Sequence, residues 1–201
     1  MKAFTLYQPY ASLIACGAKR FETRGWYTHY RGKIAIHAGL KKLSANYYIE
    51  NYGFQELVIF QKSVNSALNF EPRTDDRDVD NPVLPEAMTY NYGISDLPYG
   101  AIIATADLTN CYDIGETNKI NGFLRKEYTD KGLMPYDEKN VYCEVKTSNK
   151  KGGLLFITEN ELLFGDWTEG RYAWELQNIE VFAEPIPAKG RQGLWNWEES
   201  A

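Results

Sequence analysis

A glycine followed by a short segment of alternating charges, residues 17–26, most constrains how this chain can fold. Gly17 suits a helix end, because glycine adopts the left-handed conformation there without a steric penalty. If the following residues are extended, their side chains alternate between two faces, so Glu22 and Arg24 project to the same side. The segment therefore predicts a helix that turns directly into a strand with one charged face.

Lys19 stands at the mouth of that turn, next to the charged face. Lys19, Glu22 and Arg24 could bind one another, or could hold a polar ligand by its donor and acceptor edge. The alternative is a solvated ladder of ion pairs, since exposed pairs of this kind are common and stabilise little. The triplet by itself leaves both interpretations open.

The segments around the triplet supply further motifs. The spacing is Gly17-x-Lys19-x-x-Glu22-x-Arg24, with residues 8–12 (QPYAS) before it and residues 30–38 (YRGKIAIHA) after it. The C-terminal part adds residues 164–167 (FGDW), 170–175 (GRYAWE) and 189–195 (KGRQGLW). In this order, the motifs resemble the ASCH (activating signal cointegrator homology) domain family. The resemblance implies a PUA-like β-barrel with peripheral helices and a cleft in which the Gly-x-Lys-x-x-Glu-x-Arg motif lies.

The pattern along the chain also favours a mainly β (α+β) fold. Strands are expected around Phe4, Thr23, Ile36, Ile103, Phe156, Tyr172 and Val181. The helix before Gly17 should begin near Pro9, which suits a first turn because it lacks a backbone N–H. A short helix is expected from Thr117 to Tyr128, a helical turn at residues 159–161, and two closing strands at residues 171–176 and 179–182.

With 201 residues, the chain is expected to form a single domain, 1–201, with an insertion at about 43–98. Ser44 to Leu68 is expected to be helical, and residues 69–98 combine four prolines with an acidic run, a composition typical of a loop. The family resemblance is weaker in this region. We therefore expect an elaboration that serves as a lid, a mobile insertion or a docking surface.

Cysteine and histidine content limits the classes of site. Cys16, Cys111 and Cys143 are far apart, and His29 and His37 are the only histidines. A disulfide framework or a zinc site is therefore not expected, and neither is a cofactor, although carboxylates could hold a weakly bound divalent ion. Without a membrane-spanning apolar run or a signal segment, we expect a cytoplasmic protein with no membrane partner and leave its oligomeric state open.

The net charge of −5 argues against a domain that binds any polyanion, because that mode relies on a positive field over the whole domain. The charges are unevenly distributed, however. Residues 17–42 carry seven basic side chains against one acid, a net +6, while residues 50–100 carry three against nine, a net −6. This asymmetry favours an anionic ligand at the basic region.

The candidate site residues follow from these observations. Lys19 and Glu22 are the candidate catalytic residues, no metal ligands are assigned, and the candidate ligand-binding residues are Gln8, Arg24, Trp26, Arg31, His37 and Arg171. Trp26 ends the motif strand and could stack on a base, whereas Trp174 and Trp195 are expected in the core. His37 is either a structural residue or a residue that lines the cleft.

Three functions are compatible with the sequence. The first is a binding module that holds RNA, or a modified nucleobase or nucleotide, with the carboxylate accepting from an exocyclic amine and Lys19 or Arg24 contacting a carbonyl or phosphate. The second is implied by the resemblance: a hydrolase, either an amidohydrolase that deacylates N4-acylcytidine or a ribonuclease. The third is a protein-interaction scaffold that uses residues 43–98.

The hydrolase hypothesis would use a lysine as base and a carboxylate as proton carrier. The small deacylating relatives have a threonine where this chain has Glu22, which weakens the transfer of their activity. Their further catalytic glutamate lies outside the shared motif. Glu144, Glu159 and Glu175 are the candidates for it.

Overall fold

A computed structural model describes residues 1–43, 63–68, 97–119, 142–150 and 153–198. Its elements are β1 (Lys2–Leu6), α1 (Tyr10–Ala15), β2 (Phe21–Arg24), β3 (Gly32–Ala38), β4 (Ala101–Asp113), β5 (Thr117–Lys119), β6 (Tyr142–Lys146), β7 (Leu154–Thr158), α2 (Glu159–Leu163), β8 (Tyr172–Pro187) and β9 (Leu194–Asn196). Among the described residues the helical elements are short and few, and the predicted mainly β, PUA-like fold is confirmed.

The described strands form two sheets. One has the strand order β2-β8-β4-β3-β1-β9, and the other has the order β5-β6-β7. The chain packs into two compact units, which are described separately: unit 1 comprises residues 1–18, 33–106 and 178–201, and unit 2 comprises residues 19–32 and 107–177.

In unit 1, β1 lies between β3 and β9. It pairs in parallel with β3, where Phe4 is opposite Ile36, and antiparallel with β9, where Ala3 is opposite Trp195. The last five residues of β3, Ile34–Ala38, are all buried. Both faces of β3 are therefore covered, as is usual for a strand in a parallel pair, and Trp195 lies in the core as the sequence predicts.

The predicted first helix is confirmed as α1. The backbone N–H of Ser12 donates to Gln8 Oε1 at 3.1 Å, so the Gln8 side chain occupies one of the donors left open in the first turn. Ala11, Leu13 and Ile14 are buried. Gly17 follows with φ +81°, the left-handed conformation expected of a glycine that ends a helix.

In unit 2, β2 pairs antiparallel with the first part of β8, from Phe21 opposite Glu175 to Arg24 opposite Tyr172. Phe21 packs into a core that contains Trp167, with their ring centres 5.8 Å apart. Glu22 and Arg24 project from the opposite face of the strand. The alternation predicted for this segment therefore places the charged residues away from the core of unit 2.

Two predicted elements differ from the structure. Thr117–Lys119 form strand β5 rather than the start of a helix, because their backbone pairs with β6, where Thr117 lies opposite Val145. The rest of that predicted helix, residues 120–128, lies outside the described residues. The two predicted closing strands are one strand, β8, which continues through Asn178 at φ +49°.

Most of the predicted insertion, residues 44–62 and 69–96, also lies outside the described residues. Residues 63–68 are helical, as predicted for the end of the segment from Ser44 to Leu68. Within the described parts of the chain, no helix has both the length and the apolar character needed to span a membrane.

Candidate functional site

Lys19 is almost completely buried, with 1% of its surface exposed. Its Nζ donates to the carbonyl of Phe21 at 2.5 Å and to that of Phe164 at 2.7 Å, and lies 3.5 Å from Glu22 Oε2. A lysine ammonium has three N–H donors, and here three oxygens surround it. The positive charge is therefore compensated within the protein, which burial of a charge requires.

Glu22 lies between two cations. One carboxylate oxygen faces Lys19, and the other lies 2.9 Å from Arg24 Nε. Arg24 is the most exposed of the three side chains, and its guanidinium lies 5.9 Å from the ring centre of Trp174. The sequence prediction that these three charged residues lie together is compatible with this geometry, in which Arg24 is the member best placed to meet a ligand.

A fourth ionisable residue, Glu161, belongs to the same cluster and was not predicted. It lies in α2, it is 1% exposed, and its Oε1 accepts a hydrogen bond from the backbone N–H of Arg20. Burial raises the pKa of the Glu161 carboxyl, while the charge of Lys19 acts to lower it. Its Oε2 has no hydrogen-bond partner among the described residues. Glu161 is thus a buried carboxyl in which the neutral form is favoured by its surroundings.

The sequence contains a signal for Glu161, although a misleading one. Thr158-x-x-Glu161 matches a capping box, in which the glutamate would bond the backbone N–H of Thr158. The Thr158 hydroxyl does accept from the Glu161 N–H, at 3.1 Å. The glutamate carboxylate instead bonds Arg20, so α2 is connected directly to the residue after Lys19.

The turn after α2 also holds the motif strand. The Asp166 N–H donates to Thr23 Oγ1 at 2.9 Å. A Cβ at Gly165 would lie 2.9 Å from Trp167 Nε1 and 3.1 Å from Thr23 Cγ2, so only glycine fits between them. Arg171 forms an ion pair with Asp166 at 3.2 Å and reaches the Thr23 carbonyl at 3.4 Å. Arg171 therefore lies at the edge of β2, beside the predicted site.

Trp26 lies just beyond β2 and is 39% exposed. It meets Trp174 edge to face, with 4.6 Å between ring centres, while Trp174 is fully buried, as predicted for a core residue. Arg31 is exposed, and its Nη1 donates to the carbonyls of Thr28 and Tyr30 at 2.8 and 2.7 Å. Both predicted ligand-binding residues are thus accessible in unit 2.

Gln8 and His37 belong to unit 1, and both are buried by local contacts. In addition to the bond from Ser12, Gln8 donates from Nε2 to the Pro98 carbonyl at 2.8 Å. His37 Nε2 lies 3.0 Å from the carbonyl of Ala188, and burial lowers the pKa of its imidazole. Their side chains are therefore engaged within unit 1, and a role for them in ligand binding stays a prediction.

The glutamates proposed from sequence occupy other places. Burial acts to raise the pKa of Glu175, but hydrogen bonds from Asn110, Tyr112 and Thr109 lower it overall. Glu175 Oε2 accepts from Asn110 Nδ2 at 3.0 Å and from the Tyr112 hydroxyl at 3.1 Å. Its carboxylate is thus satisfied by neighbouring side chains. Glu144 lies in β6, and Glu159 begins α2.

Fold and motif together define a mainly β, PUA-like domain with a charged cluster at the start of one strand. The ASCH domain family model matches residues 4–185, so the chain belongs to the ASCH domain family. RNA binding is the function generally associated with this family.

A curated relative is similar over a short segment. Activating signal cointegrator 1 of Homo sapiens is 50% identical over 40 residues, which is 20% of this chain and 7% of that protein. The match therefore covers a small fraction of the relative's length. The likeness is limited to that segment and does not extend to the rest of that protein.

Proposed function

We propose that this chain binds RNA at the charged face of β2, where Glu22 and Arg24 recognise a base or nucleotide. The observation that carries the proposal is the position of the Glu22 carboxylate between Lys19 and Arg24, beside the exposed Trp26. Simple attraction of phosphate does not require an acid at the centre of a basic region. A specific hydrogen-bond acceptor for an exocyclic amine explains it, because base recognition relies on such groups.

The three charged residues have different roles in this proposal. Lys19 is enclosed by three protein oxygens, so it positions Glu22 and offsets its charge. Arg24 is more exposed and contacts a carbonyl or phosphate of the ligand. Trp26, at the end of the strand, provides a ring on which a base can stack. Arg31 and Arg171 supply further positive charge for the phosphate backbone of the RNA.

The test compares Glu22→Gln and Arg24→Ala with wild type across the four nucleoside 5′-monophosphates and short RNAs of each base. Glu22→Gln keeps the shape of the side chain. We therefore expect the preference for bases with exocyclic amines over other bases to fall, and the average affinity across all ligands to change less. Arg24→Ala should weaken binding of every ligand by about 10-fold, the value of one charge-assisted hydrogen bond.

Arg20→Ala is the matched control for loss of one positive charge. Arg20 lies in the same segment, but its side chain is 52% exposed and pairs with Glu161 rather than Glu22. A loss of affinity equal to that of Arg24→Ala would indicate general charge attraction. Wild-type binding by both site variants across the whole panel would refute the proposed site.

A hydrolase of the same family is the second candidate, and Glu161 is the observation that favours it. A buried carboxyl with a raised pKa close to a lysine is the kind of group that carries a proton in catalysis. In this alternative, Glu161 would be the glutamate that the sequence could not place. Release of the acyl group from N4-acetylcytidine, followed by mass, or shortening of an RNA substrate distinguishes turnover from binding alone.

A further inference from the structure

Beyond the end of β2, the surface of unit 2 carries three aromatic rings that the proposed function does not use, next to Arg31. The Tyr27 and His29 side chains are exposed, and Tyr172 is half-buried. This aromatic platform consists of Tyr27, His29, Tyr172 and Arg31. Tyr27 is 38% exposed, and its ring centre lies 4.8 Å from that of His29 and 5.6 Å from that of Tyr172. The Arg31 guanidinium lies 5.9 Å from the Tyr27 ring centre, and its Nη2 is 3.4 Å from the Tyr27 hydroxyl.

The platform continues the face that carries the charged cluster. Tyr172 is opposite Arg24 in the β2–β8 pairing, and Trp174 is opposite Glu22. Residues directly opposite each other share a face, and the same face recurs at every second residue, about 7 Å along the strand. Tyr172 of the platform therefore lies beside Arg24, on the same face as the proposed recognition residues.

The loop that carries Tyr27, His29 and Arg31 is held by its own hydrogen bonds. Thr28 is buried, its hydroxyl accepts from the Tyr30 N–H at 3.1 Å, and its carbonyl accepts from Arg31 Nη1 at 2.8 Å. Arg31 is thus fixed in position while Tyr27 and His29 remain exposed at the surface. Little conformational freedom is left to lose when a ligand binds, which favours affinity.

Exposed rings beside a fixed guanidinium match the chemistry of a nucleobase, which stacks on aromatic and arginine planes. A single nucleotide bound at Glu22 and Arg24 would leave the platform uncovered. We infer that the platform stacks a second base, so that the ligand of this chain is single-stranded RNA of at least two nucleotides rather than a free nucleoside or nucleotide. This inference rests on the proposed function of the neighbouring charged cluster.

The experiment measures how affinity depends on RNA length, using AMP, the dinucleotide ApA, and adenylate RNAs of four and eight nucleotides. Stacking of one base corresponds to about 5- to 150-fold in affinity, and we expect a step of this size between AMP and ApA. Tyr27→Ala should remove most of the step and leave the affinity for AMP unchanged. Tyr27→Phe should retain the step, because it keeps the ring and removes only the hydroxyl.

Tyr7→Ala is the matched control. Tyr7 lies in unit 1, is 42% exposed, and has the Lys41 Nζ 5.4 Å from its ring centre. It therefore resembles Tyr27 in its exposure and in having a cation beside its ring. The length dependence of Tyr7→Ala should equal that of wild type. Thermal unfolding of each variant shows whether it is folded, and Tyr172→Ala replaces Tyr27→Ala if the latter is not.

The remaining outcomes separate this inference from the proposed function. If the length step survives in Tyr27→Ala and Tyr172→Ala while Arg24→Ala still weakens AMP, the platform does not stack a base and the charged cluster remains a binding site. If wild type binds none of the RNAs and no nucleotide, the proposed function itself fails. Equal affinity for adenylate and deoxyadenylate octamers would refute the assignment to RNA.

Discussion

Two regions of unit 2 reverse the usual distribution of side chains. One is the charged cluster of Lys19, Glu22, Arg24 and Glu161, and the other is the aromatic platform of Tyr27, His29, Tyr172 and Arg31. Lys19, Glu22 and Glu161 are buried in the first region, and the rings of Tyr27 and His29 are exposed in the second. Buried charges are stable only when other protein groups compensate them. Lys19 and Glu161 therefore contribute to the integrity of unit 2, whereas Arg24 and the aromatic platform are available to a ligand.

Their contacts show the same difference. Lys19 is bound by two backbone carbonyls and a carboxylate, and the loss of any partner would leave a charge or a polar group unsatisfied. Tyr27 makes edge-to-face contacts with His29 and Tyr172. A contact of this kind stabilises the folded state by about 0.5–1.5 kcal/mol, and by no more than that at an exposed position. Substitutions in the two regions should consequently separate stability from binding.

The largest effect is expected for Lys19→Met, which removes the cation and leaves Glu22 and two carbonyls buried without it. We expect the free energy of unfolding to fall by about 3–5 kcal/mol, measured by urea titration. Arg20→Met is the control, since the Arg20 side chain is 52% exposed, and it should change stability by less than about 0.5 kcal/mol. Wild-type stability in Lys19→Met would show that the charged cluster is not needed for folding.

A smaller effect, which depends on pH, is expected for Glu161→Gln. Burial raises the pKa of Glu161 in the folded protein, so the folded state binds its proton more tightly than the unfolded state does. The corresponding stabilisation is present below the unfolded pKa and is lost as pH rises through the folded pKa. Glutamine does not titrate, so the stability of Glu161→Gln relative to wild type should increase as pH rises from 4 to 7.5.

His37 has the opposite effect on how stability depends on pH, but wild type and Glu161→Gln both contain it. Burial lowers the pKa of its imidazole, so its stabilising contribution is present above its unfolded pKa and is lost as pH falls. His37 contributes equally to the free energy of unfolding of both proteins, so its contribution cancels when the two values are subtracted. Urea titrations at pH 4, 5.5 and 7.5 measure the difference, and a value that stays constant or decreases with pH would contradict the buried neutral form of Glu161.

The smallest effect on stability is expected for Tyr27→Ala. Because its ring is 38% exposed, we expect a loss of no more than about 1 kcal/mol, measured in the same titration. A loss comparable to that of Lys19→Met would place Tyr27 in the structural core of unit 2. The comparison between the two regions would then fail, and with it the reason for assigning the aromatic platform to a ligand.

Much of the local structure could be predicted from the sequence. Local patterns of apolar residues, glycine and alternation agree with helix α1, its end at Gly17, strand β3 and the exposure of Trp26. Strand β5 was predicted as the start of a helix, because a threonine before a polar segment is also a common helix cap. Its pairing with β6 determines the outcome, and such pairing has no local signal.

The sequence alone determined that Glu22 and Arg24 share a face, because the two-residue period of a strand is a local property of the backbone. The tertiary structure decided which of the charges are buried. Lys19 is held by the carbonyl of Phe164, 145 residues away, and the carboxyl of Glu161 reaches the backbone of Arg20 rather than its own helix end. The burial and charge balance of an ionisable group depend on everything that surrounds it, and these neighbours come together only when the chain has folded.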